Sequence, residues 1–464
     1  MARTRNEKLA AVIKETGWSQ HQLTTHVARV AGEHGMDELT SVSRSRISMW
    51  IQGSRPSDSA VRILCETLSR RLGRIVTPTQ LGFAPIVRAD PTGHGEWDVD
   101  VDSVAALVDL GDAHMDMNRR QALKTSAYSL AGGALPPHQW WNEVFERAQA
   151  RKAVSRLTVT PAHVDGVREA MRFYSRQDQR LGGNAGRDAL LAYIRSDVAS
   201  YMSAVFPNEQ VRRNFVTAAA ELVYLAGWMA FDSSEHANAK RAFDLALRLS
   251  AEAGDAPLAG HILRAAAHQA VDLGHPTRAI ELADGSVHGP RYSLASPREK
   301  ALLGVVHARA LAADQQKAAA LAALRRAEDD LRNADGTEEP GRVFFFAEAS
   351  LAHETACTLR DLGDLKGAET EFQRSVRTRA LPIAARTHAV TLGYLGDVQV
   401  RQGHLDRACA TWSTALDTMT GIQSGRVRDT VVRMRRALSP VRRRGGSTAA
   451  ELDERAREML RNVG

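Results

Sequence analysis

Between Thr40 and Ser57 the chain reads TSVSRSRISMWIQGSRPS, which sets a guanidinium, two hydroxyls and a thioether along one side of a short helix. Ile47, Trp50 and Ile51 fall at i, i+3 and i+4 and make an apolar stripe, so Arg44, Ser45, Ser48 and Met49 point the other way. Those groups suit the edges of base pairs in a major groove. Arg44 can contact a guanine bidentately, Ser45 can donate or accept, and Met49 can rest on a thymine methyl. Gln20, Arg46, Ser48 and Arg55 are donors of the kind that hold phosphate oxygens and fix register without reading sequence. Gly53 supplies the left-handed residue that ends the helix, Arg55-Pro56 stops the chain, and Ser57 opens a new helical run.

A helix this short must be held by others. Leu9, Val12 and Ile13 give helical spacing between Thr4 and Thr16, with Gly17 closing the run. Ser19 then caps a second helix with Leu23, Val27 and Val30 on one face, and residues 57–73 form a further helix with Val61, Leu64, Cys65 and Leu68 inward. Residues 1–84 are expected to be one DNA-binding domain: up to residue 82 it carries 12 Lys and Arg against 7 Asp and Glu, as a phosphate-binding module requires. The ending Ile47-x-x-Trp50-x-x-Gly53-x-x-Pro56 resembles the third helix of a phage-repressor (XRE) helix-turn-helix. That resemblance implies that Gln20-x-x-Leu23-x-x-x-Val27 is the second helix, with Gln20 at a phosphate. Such repressors use a tight turn between these two helices, and here the link from Ala31 to Val42 is longer.

Beyond residue 84 the sign of the charge reverses. Asp90, Glu96, Asp98, Asp100, Asp102, Asp109, Asp112 and Asp116 mark residues 85–117 as an acidic linker. Its Asp98-x-Asp100-x-Asp102 spacing lacks the Gly and the final Glu of a calcium loop, since Ser103 and Asp109 stand there. Residues 118–206 read as a helical connector. Asn118 to Lys124, with its Arg119-Arg120 pair, reads as an internal amphipathic helix rather than an export signal, and Trp140-Trp141 as core. The cluster from Leu181 to Gly186 has no following Gly-Lys-Ser/Thr, so it turns two helices rather than cradling a phosphate.

Residues 207–425 are periodic. Ala239, Ala279, Ala318, Ala368 and Ala408 recur at intervals of 40, 39, 50 and 40 residues. Phe243, Phe372 and Trp412 follow three of these by four residues, and Gly274, Gly363 and Gly403 precede three by five. Small residues stand twelve before each, at Gly227, Ala267, Ala356 and Gly396, with Val306 as the exception. This resembles tetratricopeptide repeats, helical hairpins stacked into a curved right-handed α-solenoid with a concave wall, although the period exceeds the usual ~34 residues. The alignment puts Tyr224, Arg264 and His353 at one level of that wall, Trp228, His268 and His307 at the next, and Arg360 a turn further on. Such a wall would hold an extended peptide or a partner helix. Residues 426–464, rich in Arg, read as basic capping helices.

The totals agree with an all-α, multidomain, cytoplasmic protein. Ala, Leu and Arg dominate, aromatics are 5%, the formal net charge is +7, and no apolar run reaches membrane-spanning length. Cys65, Cys357 and Cys409 are too scattered for a metal site and suit reduced, buried thiols. No Walker, His-Glu-x-x-His, Gly-x-Ser-x-Gly or Cys-x-x-Cys motif is present, so neither a cofactor nor an enzyme activity is expected.

Gly17-Trp18-Ser19, Trp50-x-x-Gly53-x-x-Pro56, Arg71-Leu72-Gly73-Arg74-x-Val76-Thr77, Ala220-Glu221-Leu222 and Ala226-Gly227-Trp228-Met229-Ala230 together resemble a family of actinomycete (Streptomyces-type, NsdA-like) transcriptional regulators. These join an XRE-like head to a tetratricopeptide body. The resemblance implies a regulator of development or secondary metabolism that binds double-stranded DNA as a homodimer and senses a peptide or protein partner. The rival expectation is a scaffold that has lost DNA binding and captures another regulator on its solenoid.

Overall fold

The computed structural model describes residues 5–33, 36–72, 76–83, 97–119, 135–334, 339–380, 383–439 and 446–462. Among these the fold is all-α, with one isolated bridge between Thr158 and Val205 as extended pairing. Asn118 and Arg119 end a described helix, whereas the rest of the segment to Lys124 lies outside the described residues.

The head comprises α1 (Glu7–Glu15), α2 (Gln20–Glu33), α3 (Asp37–Thr40), α4 (Arg44–Ile51) and α5 (Asp58–Leu72). Each start has a side-chain cap where the sequence offers one. Asn6 accepts from the Leu9 amide, Ser43 from that of Arg46 and Ser57 from that of Ala60. Ser19 and Gln22 cap each other's amides reciprocally. Leu9, Leu23, Leu39, Ile47, Ile63 and Leu64 fill the core. The long link is not a loose insertion: Met36, Leu39 and Val42, spaced at i, i+3 and i+6, are buried in that core through the single turn of α3.

The body begins with α6 (Ser103–Arg119), α7 (His138–Ala150), α8 (Pro161–Leu181) and α9 (Arg187–Tyr193), which continues through a π turn (Ile194–Val198) into α10 (Ala199–Met202). Residues 97–117, expected as linker, are part of this body. Arg248 donates to the carbonyls of Asp98 and Val99 at 2.6 Å each, Ser103 bonds the buried Glu252, and Trp97 meets Trp140 edge-on. The body holds this segment by its backbone carbonyls and by acidic side chains as well, since Arg147 pairs with Asp100 and Arg195 with Asp112.

The repeats follow as α11 (Glu209–Asp232) with α12 (His236–Ala253), α13 (Ala256–Asp272) with α14 (Pro276–Ser286), then the short α15 (Pro290–Ser293), α16 (Pro297–Ala313) with α17 (Lys317–Arg332), α18 (Glu348–Asp361) with α19 (Leu365–Thr378), and α20 (Ala385–Arg401) with α21 (Leu405–Met419). A sixth hairpin, α22 (Gly425–Leu438) with α23 (Gly446–Asn462), stands where basic capping helices were expected. The fourth residue of each second helix is a buried alanine: Ala239, Ala279, Ala320, Ala368, Ala408 and Ala449. The third anchor is therefore Ala320; Ala318 is exposed. Five residues before the first five alanines the backbone is left-handed every time, at Ser234, Gly274, Gln315, Gly363 and Gly403. Twelve before them stand Gly227, Ala267, Ala308, Ala356 and Gly396, small because the paired helix lies directly against them. A Cβ on Gly227 would sit 2.8 Å from the Phe243 ring, and one on Gly396 would enter the Trp412 ring.

α11 is long and apolar enough, by length and composition, to cross a membrane, but 83% of that stretch is buried against the rest of the body. The sequence contains such a run only when its small residues are counted with its large ones.

The array turns back on itself. Arg386 of α20 lies 3.1 Å from Asp178 of α8 and 2.6 Å from Asp232 at the end of α11. The Gln423 amide donates to the Leu181 carbonyl at 2.6 Å, and the Asn184 amide to the Gln423 carbonyl. The Gly183 amide donates to Asp232, an approach that a Cβ at Gly183 would block against Met229. The glycine cluster thus does more than turn the chain: it lets the first hairpin touch the last.

Candidate nucleic-acid interface

The residues expected to contact DNA lie on α2, on α4 and in the loop that follows α4. Ile47 and Trp50 are buried and Ile51 half-buried, so α4 is fixed in rotation about its own axis. Arg44, Ser45 and Met49 are exposed on its other side, with Met49 retaining 45% of its surface, and Arg46 and Ser48 flank them half-exposed. An exposed Met amid polar neighbours is a side chain without an intramolecular reason to be apolar. Arg46 lies over the Trp50 ring at 6.0 Å. Gln20 is exposed at the first turn of α2, and exposed Arg55 is only 3.9 Å from Asp58, a loose contact it can leave.

Both ends of α4 are pinned. Ser43 caps the start, and at the other end Gly53 is left-handed while the Ser54 amide returns to the Met49 carbonyl at 2.9 Å. Asn6 ties the helix to the rest of the head by donating its amide to Ile51 and its side-chain nitrogen to Leu81. Arg71, exposed at the end of α5, stacks over Trp18 at 5.4 Å and donates to the Thr16 carbonyl.

The other expected site is not an open wall. Tyr224, Arg264, His268 and His353 are all buried inside the closed turn, and Trp228, His307 and Arg360 are only partly exposed. Their partners are one another and their neighbours. Arg264 donates to the Tyr224 hydroxyl at 2.8 Å and lies over Trp228 at 5.6 Å, while Trp228 meets His268 edge-on. His353 reaches the Thr391 hydroxyl at 2.9 Å, and Arg360 pairs with Asp361 and lies over Tyr394. His307 is not with its expected companions: it faces α14 and pairs with Asp284 at 2.9 Å. The corrected register puts Arg309 at that level, and Arg309 bonds His268 at 2.9 Å, Asp272 at 3.0 Å and Glu354 at 3.0 Å.

Charge in this interior is balanced by pairing. Burial opposes ionisation of Glu354, but Arg309 beside it overcomes that and holds the carboxyl down at about 2. Burial lowers His353 to about 3 and also lowers His268, the latter reinforced by Arg309. The histidines are therefore neutral hydrogen-bonding spacers, and the wall's polar groups bond from each hairpin to the next. Cys357 and Cys409 are buried as expected, and Cys65 is partly so.

The molecule is thus an all-α helical-repeat protein with a small five-helix head. A family model described as the SP15 N-terminal domain matches residues 9–84, which takes in Gln20, all of α4 and Arg55 and none of the ring. No curated protein matches the chain.

Proposed function

We propose that the chain is a sequence-specific DNA-binding transcriptional regulator whose head enters the major groove with α4. The observation that carries this reading is the exposed Arg44, Ser45 and Met49 face on a helix whose opposite face and both ends are locked. Arg44 reads guanine, Met49 packs on a thymine methyl, and Gln20, Arg46, Ser48 and Arg55 hold phosphates. Two copies present two such helices to successive half-sites. Control of development or secondary metabolism rests on the resemblance to the actinomycete regulators. A protein partner, with the concave side closed, meets the outer helices or rims.

The test is selection of bound duplexes from a random pool by the full chain, followed by titration of the winner. A recurrent motif, and an affinity loss of ~1–3 kcal/mol for Arg44→Ala at a guanine position, is the expected result. Enrichment of no sequence, or equal binding by Arg44→Ala, leaves the scaffold reading in its place.

A further inference from the structure

Glu66 is an unusual residue for the surface of a small domain: it retains 4% of its surface and is a carboxylate. It accepts from Arg70 at 2.8 Å on its own helix, and its second neighbour is His275, whose Nε2 is 2.9 Å away and which belongs to the ring. His275 is itself buried, at the turn where α13 gives way to α14. A carboxylate taken out of water this fully is tolerated only when its partners are in place, and here they come from both sides of the head–ring boundary. The charge of Arg436, near the end of α22, also reaches this side of the head: burial lowers His26 of α2, and Arg29, Arg71 and then Arg436 add to that effect. The Glu66–His275 contact is made by α5 and leaves α4 unused.

We propose that the rim of the ring at the α13–α14 turn is a seat for the head, with Glu66 and His275 as a latch that fixes the direction in which α4 faces outward. His275 is a positioning residue that touches no base. The consequence rests on the reading of α4 as the DNA-contacting helix; the geometry does not. With the latch closed, the distance between two reading helices in a pair of molecules is set by rigid rings, so half-site spacing is discriminated. With it open, each head turns independently of its ring and that discrimination fades.

The test is amide hydrogen exchange on the full chain without DNA, for wild type, His275→Ala, His275→Gln and Glu66→Gln. We expect His275→Ala to speed exchange in residues 58–72 by about tenfold or more while α11 and α20 stay protected, and its solution scattering to show a larger maximum dimension. His275→Gln, which keeps a hydrogen-bonding group within reach of Glu66, restores much of the protection. Unchanged exchange in residues 58–72 for both His275→Ala and Glu66→Gln overturns the seat, as does equal loosening of the ring helices, which marks a fold defect. Because this arm contains no DNA, a chain that selects no sequence still decides the question, and the two proposals fail separately.

Discussion

The Arg386 guanidinium stands between two buried carboxylates, Asp178 at 3.1 Å and Asp232 at 2.6 Å, and so joins the fifth inner helix to α8 and the first. Removing it strands two buried acids without their shared cation. Arg386→Ala is expected to cost roughly 3–5 kcal/mol in urea unfolding, whereas Arg386→Met combined with Asp178→Asn and Asp232→Asn recovers much of the loss. Burial raises the Asp178 carboxyl, which Asp232 reinforces and Arg386 counters. A group raised in the folded state binds its proton more tightly there, so its share of stability falls as pH rises above ~4. Asp178→Asn should flatten that part of the profile.

His353 makes the opposite contribution. Its folded value of about 3 lies below the unfolded ~6.5, so the unfolded chain takes up a proton that the native chain refuses. Stability from this site is complete above the unfolded value and is lost as pH falls from ~6.5 towards the folded one. His353→Gln is expected to be less stable than wild type at neutral pH, through lost packing on Tyr394 and Phe372, yet to lose less between neutral pH and ~4.5. Thermal midpoints taken across that range give the answer; parallel profiles for the two proteins would refute it.

Two glycines of the repeat should respond very differently to a methyl group. Gly363 is left-handed with φ 86° and open space around it, so Gly363→Ala meets backbone strain alone, about 1–2 kcal/mol. Gln315 and Ser234 tolerate that conformation at the equivalent positions. Gly396 has ordinary helical geometry, but a methyl there enters the buried Trp412 ring, whose Nε1 donates to the Gly393 carbonyl at 3.0 Å. Gly396→Ala should cost more than Gly363→Ala, in the upper part of the ~1–3 kcal/mol range for overpacking or above it.

The phosphate contacts assigned to Arg46 and Arg55 predict a signature distinct from that of Arg44. Alanine at either should weaken binding to selected and unselected duplexes alike and reduce the slope of log affinity against log salt by about 0.9 per residue lost. Arg44→Ala should instead relax selectivity. Fluorescence anisotropy over a salt series, with one selected and one scrambled duplex, separates the two behaviours.

Much of the fold was legible because it is written in local periodicity. The buried stripe of α4, the Ser19 cap and the small-residue positions at Gly227 and Gly396 follow from spacing and size. The third repeat slipped by two residues for an equally local reason. Lys317-Ala318-Ala319-Ala320-Leu321-Ala322-Ala323 offers small residues in almost every register, and its left-handed residue is Gln315, where three of the other repeats carry a telltale glycine. That slip brought in His307 in place of Arg309. What no pattern announces is contact between distant segments. Asp178 with Arg386, Arg248 with the Asp98 carbonyl, and Glu66 with His275 are ordinary charged residues until the chain brings them together. For that reason the sequence suggested an open wall and a free linker where the molecule has an interior and a docked segment.

Closure also bears on how such a body can change over time. Open helical-repeat arrays tolerate duplication or loss of a unit, since each hairpin answers only to its neighbours. Here Arg386 must arrive opposite Asp178 and Asp232, and Gln423 opposite Leu181, after a set number of hairpins. One hairpin more or fewer would carry these partners past each other, so a gained or lost repeat would cost this body its closing contacts.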